Sequence, residues 1–189
     1  RIPPKVFESE QPFAHFENIA MRVGLDSFNL YGSAVIDDFN GDGYLDVLTT
    51  TFDPNDRIHL FCNEHDGFFS DGSVQSGLAD LYGGINAVQA DYDNDGDLDL
   101  AVMGQSDDEI DEIRQSRTLL LTNDGTGSLE DGDFELEGLK DGDLSFADVD
   151  GDGDLDLAAT GNNTNGEHRF PLLRNHSHKH ISRCRRAIK

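Results

Sequence analysis

Basic residues are scarce in this chain: 14 Lys and Arg stand against 38 Asp and Glu in 189 residues, a net charge of −24. Phosphate backbones are held by clustered Lys and Arg, so this balance argues against nucleic acid as a partner, and against an anionic membrane surface. There is no run of about 18 apolar residues, so no membrane span is expected. An apolar secretory leader is also missing. The chain opens on Arg1 rather than Met, which is expected of a processed or excerpted piece of a longer chain. Two cysteines, Cys62 and Cys184, are too few for a disulfide framework.

Catalytic signatures are missing as well. There is no Gly-x-Ser-x-Gly elbow, no His-Glu-x-x-His and no phosphate loop. His15, His59 and His65 are scattered and read as surface or strand residues. Among 38 acids a glycosidase-like carboxylate pair has no specificity. The chain is therefore expected to be non-catalytic.

What is present is a pattern of acids. Asp91-Tyr92-Asp93-Asn94-Asp95-Gly96-Asp97-Leu98-Asp99 places carboxylates at positions 1, 3, 5 and 9 of a tight loop, with Gly at position 6. Ca²⁺ takes six to eight oxygens, and alternate residues of such a turn can aim side chains at one centre. Glycine supplies the positive φ that reverses the backbone. The residue at position 7 turns its carbonyl inward as a further ligand.

The loop recurs twice, at Asp38 to Asp46 and at Asp148 to Asp156. Three loops in register form a repeat whose period points to a propeller, solenoid or array. The candidate ligands are Asp38, Asn40, Asp42, Tyr44 and Asp46; Asp91, Asp93, Asp95, Asp97 and Asp99; and Asp148, Asp150, Asp152, Asp154 and Asp156. Three Ca²⁺ ions are expected. The many carboxylates make Mg²⁺ a poorer fit, and an all-oxygen ligand set argues against Zn²⁺ and Cu²⁺.

Strand-like runs flank each loop. Ser33 to Ile36, Asn86 to Ala90 and Leu144 to Ala147 precede; Leu45 to Thr49, Leu98 to Met103 and Leu155 to Ala159 follow. The second of these is apolar on both alternating faces, which suits a strand covered on both sides. Position 12 is Thr49, Val102 or Ala159, never the bidentate Glu of an EF-hand. Each unit is thus a β-hairpin whose turn is a cation loop. An apolar pair and an Asn follow downstream, at Leu60 to Asn63, Leu120 to Asn123 and Leu172 to Asn175. A Gly-Leu pair recurs at Gly24, Gly77 and Gly138. About four short strands per unit is the content of one propeller blade.

These units resemble the FG-GAP/VCBS repeats of integrin-α-type β-propellers, most closely in the hairpin Ala34 to Val47. The Gly-Leu element and the Asn-bearing strand resemble the secreted branch that includes cartilage acidic protein. The resemblance implies a propeller with Ca²⁺ in its hairpin loops, secreted or at the cell surface, that binds an extracellular protein or glycan in adhesion.

The fold expected is all-β: a partial propeller of about three four-stranded blades. A lead-in spans 1–15, three repeats span about 16–68, 69–128 and 129–175, and a divergent tail spans 176–189. Two other roles stay open: an accessory segment of a secreted enzyme, such as a polysaccharide-degrading one, and an acidic structural protein that chiefly holds Ca²⁺. Two stretches depart from the repeat. Ser106 to Ile113 is an acidic insertion, read as a solvated loop. The last 22 residues carry seven of the 14 Lys and Arg and no acid, and the tail is expected to be disordered.

Overall fold

The computed structural model describes residues 17–25, 32–53, 56–84, 86–106 and 115–176. The acidic insertion from 107 and the basic tail from 177 lie outside the described residues, as do His15 and Cys184. Among the described residues there are twelve strands, all paired antiparallel, and the one helical element is a 3-10 turn at Ala20–Arg22. Among them no helix is long and apolar enough to cross a membrane.

The strands form three sheets. Blade one runs β1 (Ala34–Asp37), β2 (Asp46–Thr49), β3 (His59–Asn63) and β4 (Phe69–Asp71), in that spatial order. Blade two repeats it with β5 (Asn86–Ala90), β6 (Asp99–Ser106), β7 (Gln115–Asn123) and β8 (Leu129–Asp131). In blade three, β10 (Asp156–Asn162) pairs with β9 (Lys140–Ala147) on one side. On its other side it pairs with both β11 (His168–Arg169) and β12 (Leu172–Leu173). β11 and β12 are two halves of one ribbon broken at Pro171, which has no N–H to donate, although its carbonyl still accepts from Ala159 N at 3.0 Å. Among the described residues blade three therefore fills three ribbon positions.

The sequence repeat and the sheet are offset by one strand. Phe69–Asp71 and Leu129–Asp131 close the blade before them, pairing with β3 and β7, rather than opening the next.

The blades pack face to face, and β6 carries the core on both sides. Leu100 and Val102 join Val35, Leu48 and Leu60 of blade one in one cluster. Ala101 and Met103 join Leu144, Leu157 and Ala159 of blade three in the other. This is the two-sided burial expected from its sequence. Each fully buried Leu contributes about 1.5–3 kcal/mol relative to an exposed one. The first strands lie side by side, β5 touching both β1 and β9. Gln89 Nε2 donates to Asp37 Oδ2 at 3.0 Å, and Asn86 donates to Asp143.

The Gly-Leu pair has a packing reason. Gly77 has φ +77°, and a Cβ there would sit 2.8 Å from the Leu129 carbonyl oxygen at the start of β8. Gly24, at φ +91°, faces the Phe69 carbonyl at the start of β4 in the same way. Beside them Leu129 N donates to Ser76 O and Phe69 N to Val23 O. The segment before each of these blades runs back along that blade's last strand, and only glycine lets the backbones approach so closely.

Candidate metal centres

The loops join β1 to β2, β5 to β6 and β9 to β10, so all three lie at one end of their blades. At position 6, Gly43, Gly96 and Gly153 have φ of +86°, +104° and +94°, the reversal the motif requires.

Position 9 is the anchor. Asp46, Asp99 and Asp156 are each 1 % exposed or less. One carboxylate oxygen accepts from the N–H at position 2: Phe39 at 3.2 Å, Tyr92 at 2.8 Å and Val149 at 3.0 Å. The other accepts from the N–H of the downstream Asn: Asn63 at 2.9 Å, Asn123 at 3.0 Å and Asn175 at 2.8 Å. Burial holds the Asp46 and Asp99 carboxyls above their usual range despite those two bonds. Asp156 goes the other way. The Val149 and Asn175 N–H groups, helped by Arg174 and His176, hold it below.

Loops two and three gather their acids. Asp91, Asp93 and Asp99 present oxygens that all lie within 4.8 Å of one another, and so do Asp148, Asp150 and Asp156. These are positions 1, 3 and 9 in both. Asp91 Oδ1 is buried and has no hydrogen-bond partner. An oxygen so placed costs several kcal/mol unless something positive meets it. Like charges about 4 Å apart also repel by roughly 4 kcal/mol at an effective dielectric near 20. A hard divalent cation answers both, so the residues present fit Ca²⁺.

Positions 5 and 7 stand apart from these trios. Asp95 and Asp152 accept from the N–H groups of Asp97 and Asp154, closing the turn. Asp154 is buried and accepts from Asn94 Nδ2 at 2.9 Å, a bond from loop two to loop three.

Loop one differs. With Asn40 at position 3, the equivalent trio holds two acids. Asp38 accepts from Asp42 N at 3.1 Å and Gly43 N at 2.9 Å, much as Asp148 of loop three accepts from Gly151 N at 2.7 Å and Gly153 N at 3.0 Å. Asp42 is engaged by His65 Nε2 at 2.8 Å, the first cause of its lowered pKa, and the His65 ring stacks on Tyr44 at 3.9 Å between centroids.

One group of residues carries more than the sequence revealed. Asn123 Nδ2 donates to Leu98 O of its own blade and to Phe39 O of blade one. Asn175 Nδ2 donates at 2.8 Å to Tyr92 O of blade two. At 123 and 175 the Asn seen recurring in the sequence is thus a latch between blades. Cys62 fills a strand position in β3: Gly72 lies against its Sγ, and burial pushes the thiol up to about 11.

Residues 38–102 match the family model described as FG-GAP-like repeat, from the first position of loop one to the strand after loop two. The chain carries an FG-GAP-like repeat over these residues. Loop three lies beyond the matched residues and repeats the same geometry. An FG-GAP-type module of this kind is blade-like, with three antiparallel sheets packed in series and not closed on themselves. No curated protein matches the chain.

Proposed function

We propose that the chain is a calcium-stabilised propeller module of the extracellular space that binds a protein or glycan without catalysing a reaction. The observation that carries the calcium reading is the buried, partnerless Asp91 Oδ1 beside Asp93 and Asp99. The second trio at Asp148, Asp150 and Asp156 supports it. Positions 1, 3 and 9 of loops two and three would hold the ion, with the carbonyls of Asp97 and Asp154 completing the shell. When bound, Ca²⁺ supplies charge compensation and a rigid hairpin turn. The protein's own contribution is the position-9 Asp, locked by two N–H donors before any ion arrives.

The binding reading is supported by the far end of blade two. There a cavity of about 100 Å³ opens between blades one and two, floored by Ile58, Val102 and Leu119 and edged by Asp80, Tyr82 and Gln105. An apolar floor with a few polar groups at its rim is how small polar ligands are held. The test has two arms. Calorimetry with Ca²⁺ in chelator-treated protein is expected to show saturable binding, and silence there would sink the calcium reading. Screening against glycans and matrix proteins, with Tyr82→Ala as control, is expected to show saturable binding that the substitution weakens. Absence of any ligand would leave a calcium-holding scaffold instead.

A further inference from the structure

A second crevice opens between blades one and two, apart from the cavity at Tyr82, and holds about 250 Å³. Its base is Leu60 and the thiol of Cys62, neighbours on β3. Asn40 of loop one, Gln75 and Ser76 line one side, and Thr126 and Ser128 of the β7–β8 turn line the other. Bare backbone keeps it open on both sides. A Cβ at Gly72 would sit 2.6 Å from Cys62 Sγ, and one at Gly127 would sit 3.2 Å from Asn40 Cβ. Both blades that bound it are four-stranded, and all of its lining residues are described.

No residue that lines the crevice is charged, although 28 % of the chain is. A charged ligand would lose its hydration there and meet no opposite charge, so the occupant is neutral. The lining hydroxyls narrow it further. Ser76 Oγ donates to Gly72 O at 2.9 Å, and Thr126 Oγ1 donates to Asp124 Oδ1 at 2.6 Å. Each hydroxyl has one proton, so both are left to a ligand as acceptors. The Gln75 amide and the Ser128 hydroxyl make no hydrogen bond among the described residues, and each can donate and accept. An occupant that satisfies this set must donate and accept from neighbouring atoms, as the hydroxyls of a sugar do. The volume lies just under the roughly 300–1,000 Å³ of pockets for drug-sized molecules, which suits one sugar ring. Leu60 and Cys62 offer an apolar base for the C–H face of that ring.

We propose that this crevice binds a single neutral sugar residue, its ring on Leu60 and Cys62 and its hydroxyls on Ser76, Thr126, Ser128 and Gln75. The proposal extends the glycan reading to a site of its own and does not rest on the Tyr82 cavity. No lining residue is a carboxylate, so it also stands without the calcium reading. With −24 on the chain, the surrounding field opposes acidic sugars as well. The residue is either a free sugar or the end of a glycan chain, and the two sources share the chemistry that the crevice recognises.

The test is an NMR titration of the full ¹⁵N-labelled chain with glucose, galactose, mannose and N-acetylglucosamine. At least one is expected to saturate at about millimolar concentration, the affinity that about a dozen heavy atoms supply. Glucuronate and glucosamine, the charged counterparts of glucose, are expected to bind about tenfold more weakly than glucose or not at all. Gln75→Leu and Ser128→Ala are expected to weaken the sugar by about tenfold each. Both change side chains with no bond to lose, so an unchanged unfolding temperature separates lost binding from lost fold. Cys62 gives a local readout. In Cys184→Ser protein it is the one thiol, and the bound sugar is expected to slow its alkylation by iodoacetamide at least about threefold, as site occupancy rises. A glycan array then separates the sources: binding confined to glycans that end in the sugar names a glycan end, and equal binding of the free sugar names the monosaccharide. No saturation by any neutral sugar up to about 50 mM, or tighter binding of a charged one, overturns the proposal. Sugar binding that Tyr82→Ala abolishes, while Gln75→Leu and Cys62 alkylation are unaffected, overturns it too and assigns the sugar to the other cavity.

Discussion

Asn123 Nδ2 lies 2.8 Å from the carbonyl oxygen of Phe39, a residue 84 positions earlier. The same side chain donates to Leu98 O and accepts from the N–H groups of Gly125 and Gly127. One amide thus fixes a β-turn, its own hairpin and the preceding blade. A buried group with four partners leaves several of them unsatisfied when it is removed. Asn123→Ala is expected to cost about 2–3 kcal/mol, read as a lower midpoint in chemical unfolding. Asn63→Ala lacks the contact to a preceding blade and should cost clearly less. Equal losses would mean that Asn123 acts within its own turn and not as a latch.

Gly77 offers a second measurement of blade closure. Its φ of +77° penalises any side chain, and a Cβ would meet the Leu129 carbonyl oxygen at 2.8 Å. Gly43 has a similar φ of +86° but open space around it. Gly43→Ala should therefore cost about 1 kcal/mol from the backbone alone. Gly77→Ala should cost about 2–3 kcal/mol, the excess being the forced separation of Leu129 from Ser76. If the two variants unfold at the same midpoint, the close approach carries no weight.

Much of this was legible in the sequence, and the reason is periodicity. The hairpins, the positive φ at Gly43, Gly96 and Gly153, and the two-sided burial of Leu100 to Met103 all follow from local spacing. What stayed hidden was non-local. The Asn at 63, 123 and 175 was visible as a repeat, but its partner is a backbone carbonyl, which has no sequence signature. Blade limits were hidden for a related reason: whether Phe69–Asp71 pairs backward or forward is decided by sheet closure, not by its own residues. The difference between loop one and its neighbours was half legible. Asn40 showed the missing charge, whereas His65 reaching Asp42 across 23 residues did not show.

Asp71 gives a pH dependence outside the loops. Burial pushes its carboxyl up, but the Ser73 hydroxyl and N–H, with His59 and Arg57 nearby, outweigh that and hold it below the usual range. A carboxyl depressed in the folded state binds fewer protons there than when unfolded. Stability from it is therefore present above the unfolded value near 3.9 and is lost as pH falls through the lower folded value. Because the side chain is 42 % exposed, solvent screening keeps the effect below about 1 kcal/mol. Asp71→Asn should unfold at lower denaturant than wild type at neutral pH. Below about pH 3 the two should converge. A gap unchanged by acid would assign the effect to packing.

Calcium affinity should rank the loops, with loop one the weakest. Three sites are expected, but loop one offers three carboxylates with Asn40 at position 3, while loops two and three offer four each. Charge count is one of the two controls on such sites, rigidity being the other. A missing carboxylate also relieves repulsion in the empty loop, so the effects partly cancel. The divalent ion feels each carboxylate twice over, and attraction wins. Geometry points the same way: in loop one Asp42 is engaged by His65, so binding must first break that bond. Asn40→Asp should tighten loop one by about tenfold, some 1.4 kcal/mol, while Asp93→Asn and Asp150→Asn should weaken their own sites similarly. His65→Ala separates the two causes, since it frees Asp42 without changing the loop's own charge. If His65→Ala tightens loop one and Asn40→Asp does not, the competing contact and not the charge count sets its affinity. If neither variant moves it while both Asn replacements in the other loops are neutral, loop rigidity is the control and the ranking by charge fails.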